Sequence, residues 1–152
     1  MLDLPDSAVL LKQQAADWRA SVLLAGAALE ASGAVTAEYG PRMVGMVEEF
    51  GAYIVIAPGL ALAHARPGDD VLRAGMAVVT LDEPVLFGHP YNDPVSVILG
   101  LAVLTADEHV TGIAELANVF NETAVIERLA NATSADEVRA VFGLSAQAES
   151  AE

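Results

Sequence analysis

The chain has 152 residues, of which 54% are hydrophobic and 18% charged, and its formal net charge is −14. This charge disfavours nucleic acids and anionic membrane surfaces as partners, because like charges repel. A basic protein partner is compatible with it, although the acidic side chains can equally form a solvated surface that keeps the protein in solution. The chain contains no cysteine, which excludes disulfides, thiolate catalysis and cysteine-bound zinc.

The length predicts one domain, which we place at residues 1–144, followed by a small acidic tail at residues 145–152. The first residues contain neither the basic nor the apolar region of a signal peptide. The longest strongly apolar run, residues 95–104, is shorter than the roughly 20 residues that a helix needs to cross a bilayer. We therefore expect a cytoplasmic protein.

The first half of the chain predicts a strand followed by two helices. Residues 8–13 form a short apolar run that fits an edge strand. Asp17 has the side chain of an N-cap and predicts a helix that ends near residue 32. A second apolar stripe predicts a helix over residues 36–50, with a kink or a restart at Pro41 because proline has no N–H to donate.

Three strand-like segments follow, at residues 53–57, 74–81 and 94–103, and a loop is predicted at residues 87–94. Two capping boxes, which begin at Thr105 and Ser134, predict helices in the last third of the chain. A short helix is expected between them. This order of elements predicts an α/β protein, namely a three-layer α/β/α sandwich with a small mixed β-sheet.

His64 is the first candidate for chemistry. It follows a Pro58-Gly59 turn at the end of a predicted strand, and the edge of a sheet is where sites gather in α/β proteins. Arg66 lies two residues further on, and positions i and i+2 of an extended segment share a face. A neutral imidazole can attack phosphorus while a guanidinium binds the phosphoryl oxygens. A loop histidine that merely bonds to backbone fits the same residues at least as well.

The other two histidines are weaker candidates. His109 falls in the first turn of the helix that Thr105 is expected to begin, where unpaired N–H groups attract anions. An exposed histidine without a role is the simpler interpretation there. His89 lies in a run of turn-forming residues, and we interpret it as structural.

Other kinds of site have little local support. Three histidines could bind zinc, but none of them are spaced as i and i+4. The chain contains neither a Gly-x-Ser-x-Gly elbow nor a Walker-type loop, so a serine hydrolase and a nucleotide-binding enzyme are weak hypotheses.

The segment GAYIVIAPGLALAHARP, residues 51–67, resembles the active-site signature of the mannitol/fructose class of enzyme IIA domains. These domains belong to the phosphoenolpyruvate-dependent sugar phosphotransferase system. Shorter matches are SGAVTAEY at 32–39, FGH at 87–89, NDPV at 92–95 and DEH at 107–109. Together they are most similar to the ascorbate-specific subgroup, and the resemblance covers residues 8–142.

The resemblance implies a phosphocarrier with a three-layer α/β/α fold. The histidine that matches His64 takes a phosphoryl group from the phosphohistidine of the carrier HPr and passes it to a cysteine of an enzyme IIB. An enzyme IIC permease then takes up a sugar, a polyol or a sugar acid such as ascorbate. The histidine that matches His109 assists by contacting the phosphoryl group or the phosphorylated ring. We add Arg66 as a clamp for the phosphoryl oxygens, and no metal or other cofactor is required.

One departure from the family pattern bears on activity. Family members usually have proline before the active histidine, whereas this chain has Ala63, which removes a fixed φ angle. A regulatory protein of the same fold, whose phosphorylation state is sensed by a partner, is therefore a second hypothesis, and an inactive homologue is a third. The oligomeric state stays open, and a homodimer would be unsurprising.

Overall fold

The computed structural model describes residues 4–105, 107, 114, 119, 120 and 123–143. Its main helices are α1 (Trp18–Ala31), α2 (Tyr39–Phe50), α3 (Thr123–Ala130) and α4 (Ala135–Val141). Its strands are β1 (Val9–Gln13), β2 (Val55–Ala57), β3 (Leu60–His64), β4 (Gly75–Val85) and β5 (Val95–Ala102). Among these described helices, none combines the length and the apolar composition that crossing a bilayer requires.

The strands form one mixed sheet in the order β1-β4-β5-β3-β2. β1 runs parallel to β4 and β3 runs parallel to β5, whereas the pairs β4–β5 and β2–β3 are antiparallel. The register of β3 and β5 places His64 opposite Leu101, so the carboxyl ends of these two strands meet at one edge of the sheet. That edge is where the candidate site lies.

Small residues let the helices approach the sheet and one another closely. A Cβ atom at Gly100 of β5 would lie 3.2 Å from a methyl carbon of Leu29 and 3.3 Å from the Cβ of Ala25, both on α1. A Cβ atom at Gly26 would lie only 2.6 Å from the Cα of Gly40 on α2. With helices packed on a small mixed sheet, the predicted α/β sandwich is confirmed.

The capping signals predicted two helix starts correctly. The Asp17 side chain accepts a hydrogen bond from the N–H of Ala20 at 2.9 Å, and Ser134 accepts one from the N–H of Glu137 at 3.2 Å. Helix α2 begins at Tyr39, later than expected, so Pro41 lies in the first turn, where a missing N–H costs no helical hydrogen bond. The interruption expected at Pro41 therefore does not occur within the helix.

The strands required corrections. The segment expected to be a strand at residues 53–57 begins as a 3-10 turn, Ala52–Ile54, and β4 continues past its expected end to Val85. The main error concerns β3, because the sequence suggested a turn or loop around His64 where the structure has a buried strand. Gly59 adopts a left-handed φ of +81° and reverses the chain, so that β3 inserts between β2 and β5.

The helix expected after Thr105 is described only in part. Asp107, Ala114 and Val119 are helical, and Phe120 is buried with its ring 5.9 Å from that of Phe142. His109 lies outside the described residues, and so does the predicted tail at residues 145–152.

Candidate functional site

His64 is the last residue of β3 and is only 7% exposed. Its Nδ1 lies 2.9 Å from the carbonyl oxygen of Leu62, two residues earlier in the same strand. A carbonyl oxygen can only accept a hydrogen bond, so Nδ1 carries the proton of the neutral ring. Nε2 then holds the lone pair, which makes it the nucleophilic atom of this imidazole.

Tyr53 contacts the nucleophilic edge of the His64 ring. Gly51 ends helix α2 with a φ of +85°, and the following 3-10 turn, Ala52–Ile54, carries Tyr53 towards β3. The Tyr53 hydroxyl lies 3.4 Å from Nε2 of His64, and the two rings meet edge to face with centroids 5.7 Å apart. Phe50 packs edge to face on Tyr53 at 6.3 Å. Phe50 and Tyr53, the aromatic pair, thus form a partly exposed wall beside a buried histidine.

Arg66 is exposed and lies on the side of this aromatic pair. Its guanidinium carbon is 5.9 Å from the centroid of the Phe50 ring. Burial raises the pKa of Tyr53, and the positive charge of Arg66 partly offsets that rise. The aromatic pair therefore lies next to both residues, since Tyr53 contacts the imidazole of His64 and Phe50 lies under the guanidinium of Arg66.

A salt bridge holds the backbone around Arg66. The Nε and Nη2 atoms of Arg42 each donate to the Asp70 carboxylate at 2.7 Å, and Nη2 also donates to the carbonyl oxygen of Arg66 at 2.7 Å. Hydrogen bonding from Arg42 lowers the pKa of Asp70, so this carboxylate stays ionised at neutral pH. The Arg42–Asp70 pair thereby fixes the main chain two residues beyond His64.

Tyr39 joins the ends of the two parallel strands next to His64. Its hydroxyl accepts a hydrogen bond from the N–H of Ala65 at 3.0 Å and donates one to the carbonyl oxygen of Leu101 at 2.7 Å. The side chain is fully buried, and this burial raises the pKa of Tyr39 to about 12. The hydroxyl therefore stays protonated at neutral pH and satisfies two backbone groups where helix α2 meets the sheet.

Of the remaining sequence candidates, His89 is described and does not contact this cluster. The Nδ1 atom of His89 accepts hydrogen bonds from the N–H groups of Tyr91 and Asn92, both at 3.1 Å, so this histidine shapes its own turn. His109 lies outside the described residues, so its predicted contact with the site remains a prediction. No group of three or more metal-binding side chains is found in the part of the chain that the structure describes.

The sequence predicted His64 and Arg66 as site residues, but it did not predict Tyr53, Tyr39 or Arg42. The three missed side chains come from helix α2 and the turn that follows it, and they reach His64 or the residues just after it only because the chain folds back. Local signals existed for Tyr53 and Tyr39, since they lie inside the matched segments at residues 51–67 and 32–39, but none existed for Arg42.

The sequence matches a known family over nearly its whole length. The family model described as "Phosphoenolpyruvate-dependent sugar phosphotransferase system, EIIA 2" matches residues 4–143. The chain is 36% identical over 134 residues to the ascorbate-specific PTS system EIIA component of Salmonella choleraesuis (strain SC-B67), which covers 88% of this chain and 87% of that protein.

Solved structures agree with this assignment. Enzyme IIA for mannitol from Escherichia coli, in its complex with phosphorylated enzyme IIB, superposes with a TM-score of 0.83 at 28% identity over 94% of this chain and 99% of that one. The nitrogen regulatory protein IIA-Ntr from Neisseria meningitidis superposes with a TM-score of 0.78 at 30% identity over 91% of this chain and 95% of that one. The resemblance drawn from the sequence is confirmed, and the chain belongs to the EIIA 2 family of the phosphoenolpyruvate-dependent sugar phosphotransferase system.

Proposed function

We propose that Nε2 of His64 accepts a phosphoryl group from the phosphohistidine of HPr and passes it to a cysteine of an enzyme IIB. As an EIIA component the chain is a phosphotransferase that serves as a phosphocarrier in sugar transport. We choose Nε2 as the accepting atom because Nδ1 of His64 donates a hydrogen bond to the Leu62 carbonyl, which leaves the lone pair on Nε2.

The transfer needs no proton movement at His64. The Nε2 lone pair attacks phosphorus, and the phosphorus–nitrogen bond of the donor breaks with its electron pair left on the donor imidazole. In the second step the cysteine thiolate of the acceptor attacks phosphorus and Nε2 regains its pair. Nδ1 keeps its proton on the Leu62 carbonyl throughout, so that the ring stays oriented for both steps.

Two further side chains are proposed to stabilise the charge on the phosphoryl oxygens. Arg66, which lies beside the aromatic pair, supplies a guanidinium whose geometry suits bidentate binding of these oxygens. His109 contacts the phosphoryl group or the phosphorylated ring, as the family resemblance implies. The site then offers positive charge where negative charge is spread over three oxygens in the transition state.

The transported compound is proposed to be a sugar acid of the ascorbate type, with an enzyme IIC permease as the membrane component. The support is the likeness to EIIA components that are named ascorbate-specific. Donor and acceptor would meet the chain in the cytoplasm, as we predict from the sequence.

The experiment is a phosphorylation assay with phosphoenolpyruvate, enzyme I and HPr. We expect wild-type protein to acquire phosphate that is labile in acid and stable in base, as phosphohistidine is. His64→Gln removes the nucleophile and should abolish the label. His89→Asn is the control, because the Oδ1 atom of asparagine is attached to Cγ as Nδ1 is and can still accept the backbone hydrogen bonds of that turn, and it should keep the label. Label that survives in His64→Gln would overturn the assignment.

Transfer of the label to enzyme IIB tests the role of His109, and it also tests whether the protein serves transport or regulation. We expect His109→Ala to keep much of the label but to pass it to enzyme IIB more slowly. A regulatory protein of the same fold is the second candidate, and the superposition on a nitrogen regulatory IIA protein supports it. Phosphorylated protein that transfers its label to no enzyme IIB would favour that regulatory role.

A further inference from the structure

The Tyr53 hydroxyl faces the atom that must react. It lies 3.4 Å from Nε2 of His64, which is longer than a typical hydrogen bond, while Nδ1 of the same ring is held by the Leu62 carbonyl. Since Nδ1 carries the ring proton, Tyr53 must be the donor and the Nε2 lone pair the acceptor. In the unphosphorylated protein, the hydroxyl therefore lies next to the atom that phosphorus would have to reach.

We propose that Tyr53 is a positioning residue that exchanges its acceptor during the reaction, from Nε2 of His64 before transfer to a phosphoryl oxygen after it. This inference rests on the proposed function, because it concerns the same imidazole nitrogen. Once Nε2 has formed the bond to phosphorus its lone pair is used, and a hydroxyl that had donated to it must find another acceptor. The nearest acceptors created by the reaction are the phosphoryl oxygens.

The surroundings of Tyr53 suit such an exchange. Its ring is held on two sides, by the edge of His64 and by Phe50, whereas 44% of the residue remains exposed. A small change in the χ1 angle of Tyr53 can therefore move the hydroxyl without breaking the packing of the core. The positive charge of Arg66 lies near the same hydroxyl, so Tyr53 and Arg66 can reach oxygens of one phosphoryl group together.

The exchange should favour the phosphorylated state. A hydrogen bond from a hydroxyl to a charged oxygen is roughly twice as strong as one between neutral groups. The bond to a phosphoryl oxygen should thus more than replace the long bond to Nε2. Tyr53 would then shift the equilibrium of phosphoryl transfer from the donor towards His64 and stabilise the phosphorylated protein.

The test compares Tyr53→Phe, which keeps the ring and removes only the hydroxyl, with the control Tyr91→Phe, whose tyrosine is 86% exposed in the turn that His89 shapes. The equilibrium between phosphorylated HPr and each protein is measured, together with the 31P resonance of the phosphohistidine and the 15N resonance of Nε2 in the unphosphorylated protein. For Tyr53→Phe we expect the equilibrium constant to fall about fivefold and both resonances to move. Tyr91→Phe should match wild type in all three measurements.

A measurement on wild-type protein covers the case in which Tyr53→Phe does not fold. With 13C at the ring carbon that bears the hydroxyl, the ionisation of each tyrosine is followed by NMR before and after phosphorylation. A phosphoryl oxygen that accepts from Tyr53 favours the protonated phenol, so the pKa of Tyr53 should rise further on phosphorylation.

The outcomes separate this inference from the function on which it rests. A wild-type protein that takes no label overturns the proposed function itself. A wild-type protein that is labelled, with Tyr53→Phe equal to it in equilibrium constant and in both resonances, or with a Tyr53 ionisation that phosphorylation leaves in place, overturns the role of Tyr53 and leaves the phosphocarrier intact.

Discussion

Nδ1 of His64 donates a hydrogen bond to the carbonyl oxygen of Leu62 at 2.9 Å, and this contact between two residues of one strand determines which nitrogen of the ring carries the proton. Both residues belong to β3, whose neighbours on either side are other strands of the sheet. The carbonyl is therefore fixed by the sheet, and it fixes the tautomer of the imidazole in turn. A rigid strand thus supplies the orientation that the proposed transfer between two histidines requires.

Removing the cation beside the aromatic pair should slow phosphorylation. We expect Arg66→Gln to lower the rate of phosphorylation by HPr about tenfold, and Arg66→Lys to recover part of the loss, because lysine restores the charge but not the bidentate fork. The rates are measured under single-turnover conditions. Arg128→Gln, on the exposed side of α3, is the control and should leave the rate unchanged. Equal rates for wild type and Arg66→Gln would remove Arg66 from the site.

The Tyr39 hydroxyl should matter for stability more than its size suggests. Tyr39→Phe leaves the N–H of Ala65 and the carbonyl of Leu101 buried without this partner. We expect the free energy of unfolding to fall by about 2 kcal/mol, as measured by urea denaturation. A loss below about 0.5 kcal/mol would show that neighbouring groups or water replace the hydroxyl, since a surface substitution has an effect of that size.

The salt bridge between Arg42 and Asp70 predicts a pH dependence. Hydrogen bonding from Arg42 lowers the pKa of Asp70 below its ordinary value of 3.8 in the folded protein. A carboxylate with a lowered pKa stabilises the fold at pH values above the ordinary pKa, and this contribution is lost as the pH falls through the lower folded value.

Asp70→Asn isolates that contribution. Because Arg42 is partly exposed, solvent screens the pair, and we expect the variant to be less stable than wild type by about 1 kcal/mol at neutral pH. The difference should stay constant down to about pH 5 and should then shrink as the pH falls below the ordinary pKa of aspartate. Urea denaturation of both proteins at several pH values measures it. A difference that grows in acid would contradict the assigned sign.

The close contact between α1 and α2 predicts opposite effects for two glycines. A methyl group at Gly26 would lie 2.6 Å from the backbone of Gly40, so Gly26→Ala must push the helices apart and should cost about 1–3 kcal/mol of stability. At Gly45, also helical, nothing lies within 4 Å of the added carbon. Gly45→Ala should instead stabilise the protein by about 0.5–1 kcal/mol through helix propensity, as thermal or urea unfolding would show. The same sign for both variants would contradict the packing described for the two helices.

How much could be predicted from the sequence depended on how local each cause was. Asp17 and Ser134 cap helices through side chains that reach only three residues ahead, so their pattern is visible in the sequence. Strand β3 was missed because Ala61 and Ala63 have little strand propensity and because its pairing partner β5 lies far along the chain.

The same distinction between local and long-range causes applies to the residues of the candidate site. His64 could be chosen from the chemistry of histidine and from the family resemblance, but its burial and its tautomer depend on the sheet. Tyr53 reaches Nε2 only because Gly59 turns the chain back and β2 pairs antiparallel with β3. Such contacts arise from topology, which no spacing in the sequence encodes.

The most direct test of the central claim is to determine which nitrogen carries phosphorus in the phosphorylated protein. Protein labelled with 15N in its histidines is phosphorylated through enzyme I and HPr, and the coupling between 31P and 15N is measured with the histidine resonances assigned. We predict that the coupling appears at Nε2 of His64, with Nδ1 of the same ring still protonated. Coupling at Nδ1 of His64, or at any nitrogen of another histidine, would contradict this account of the site.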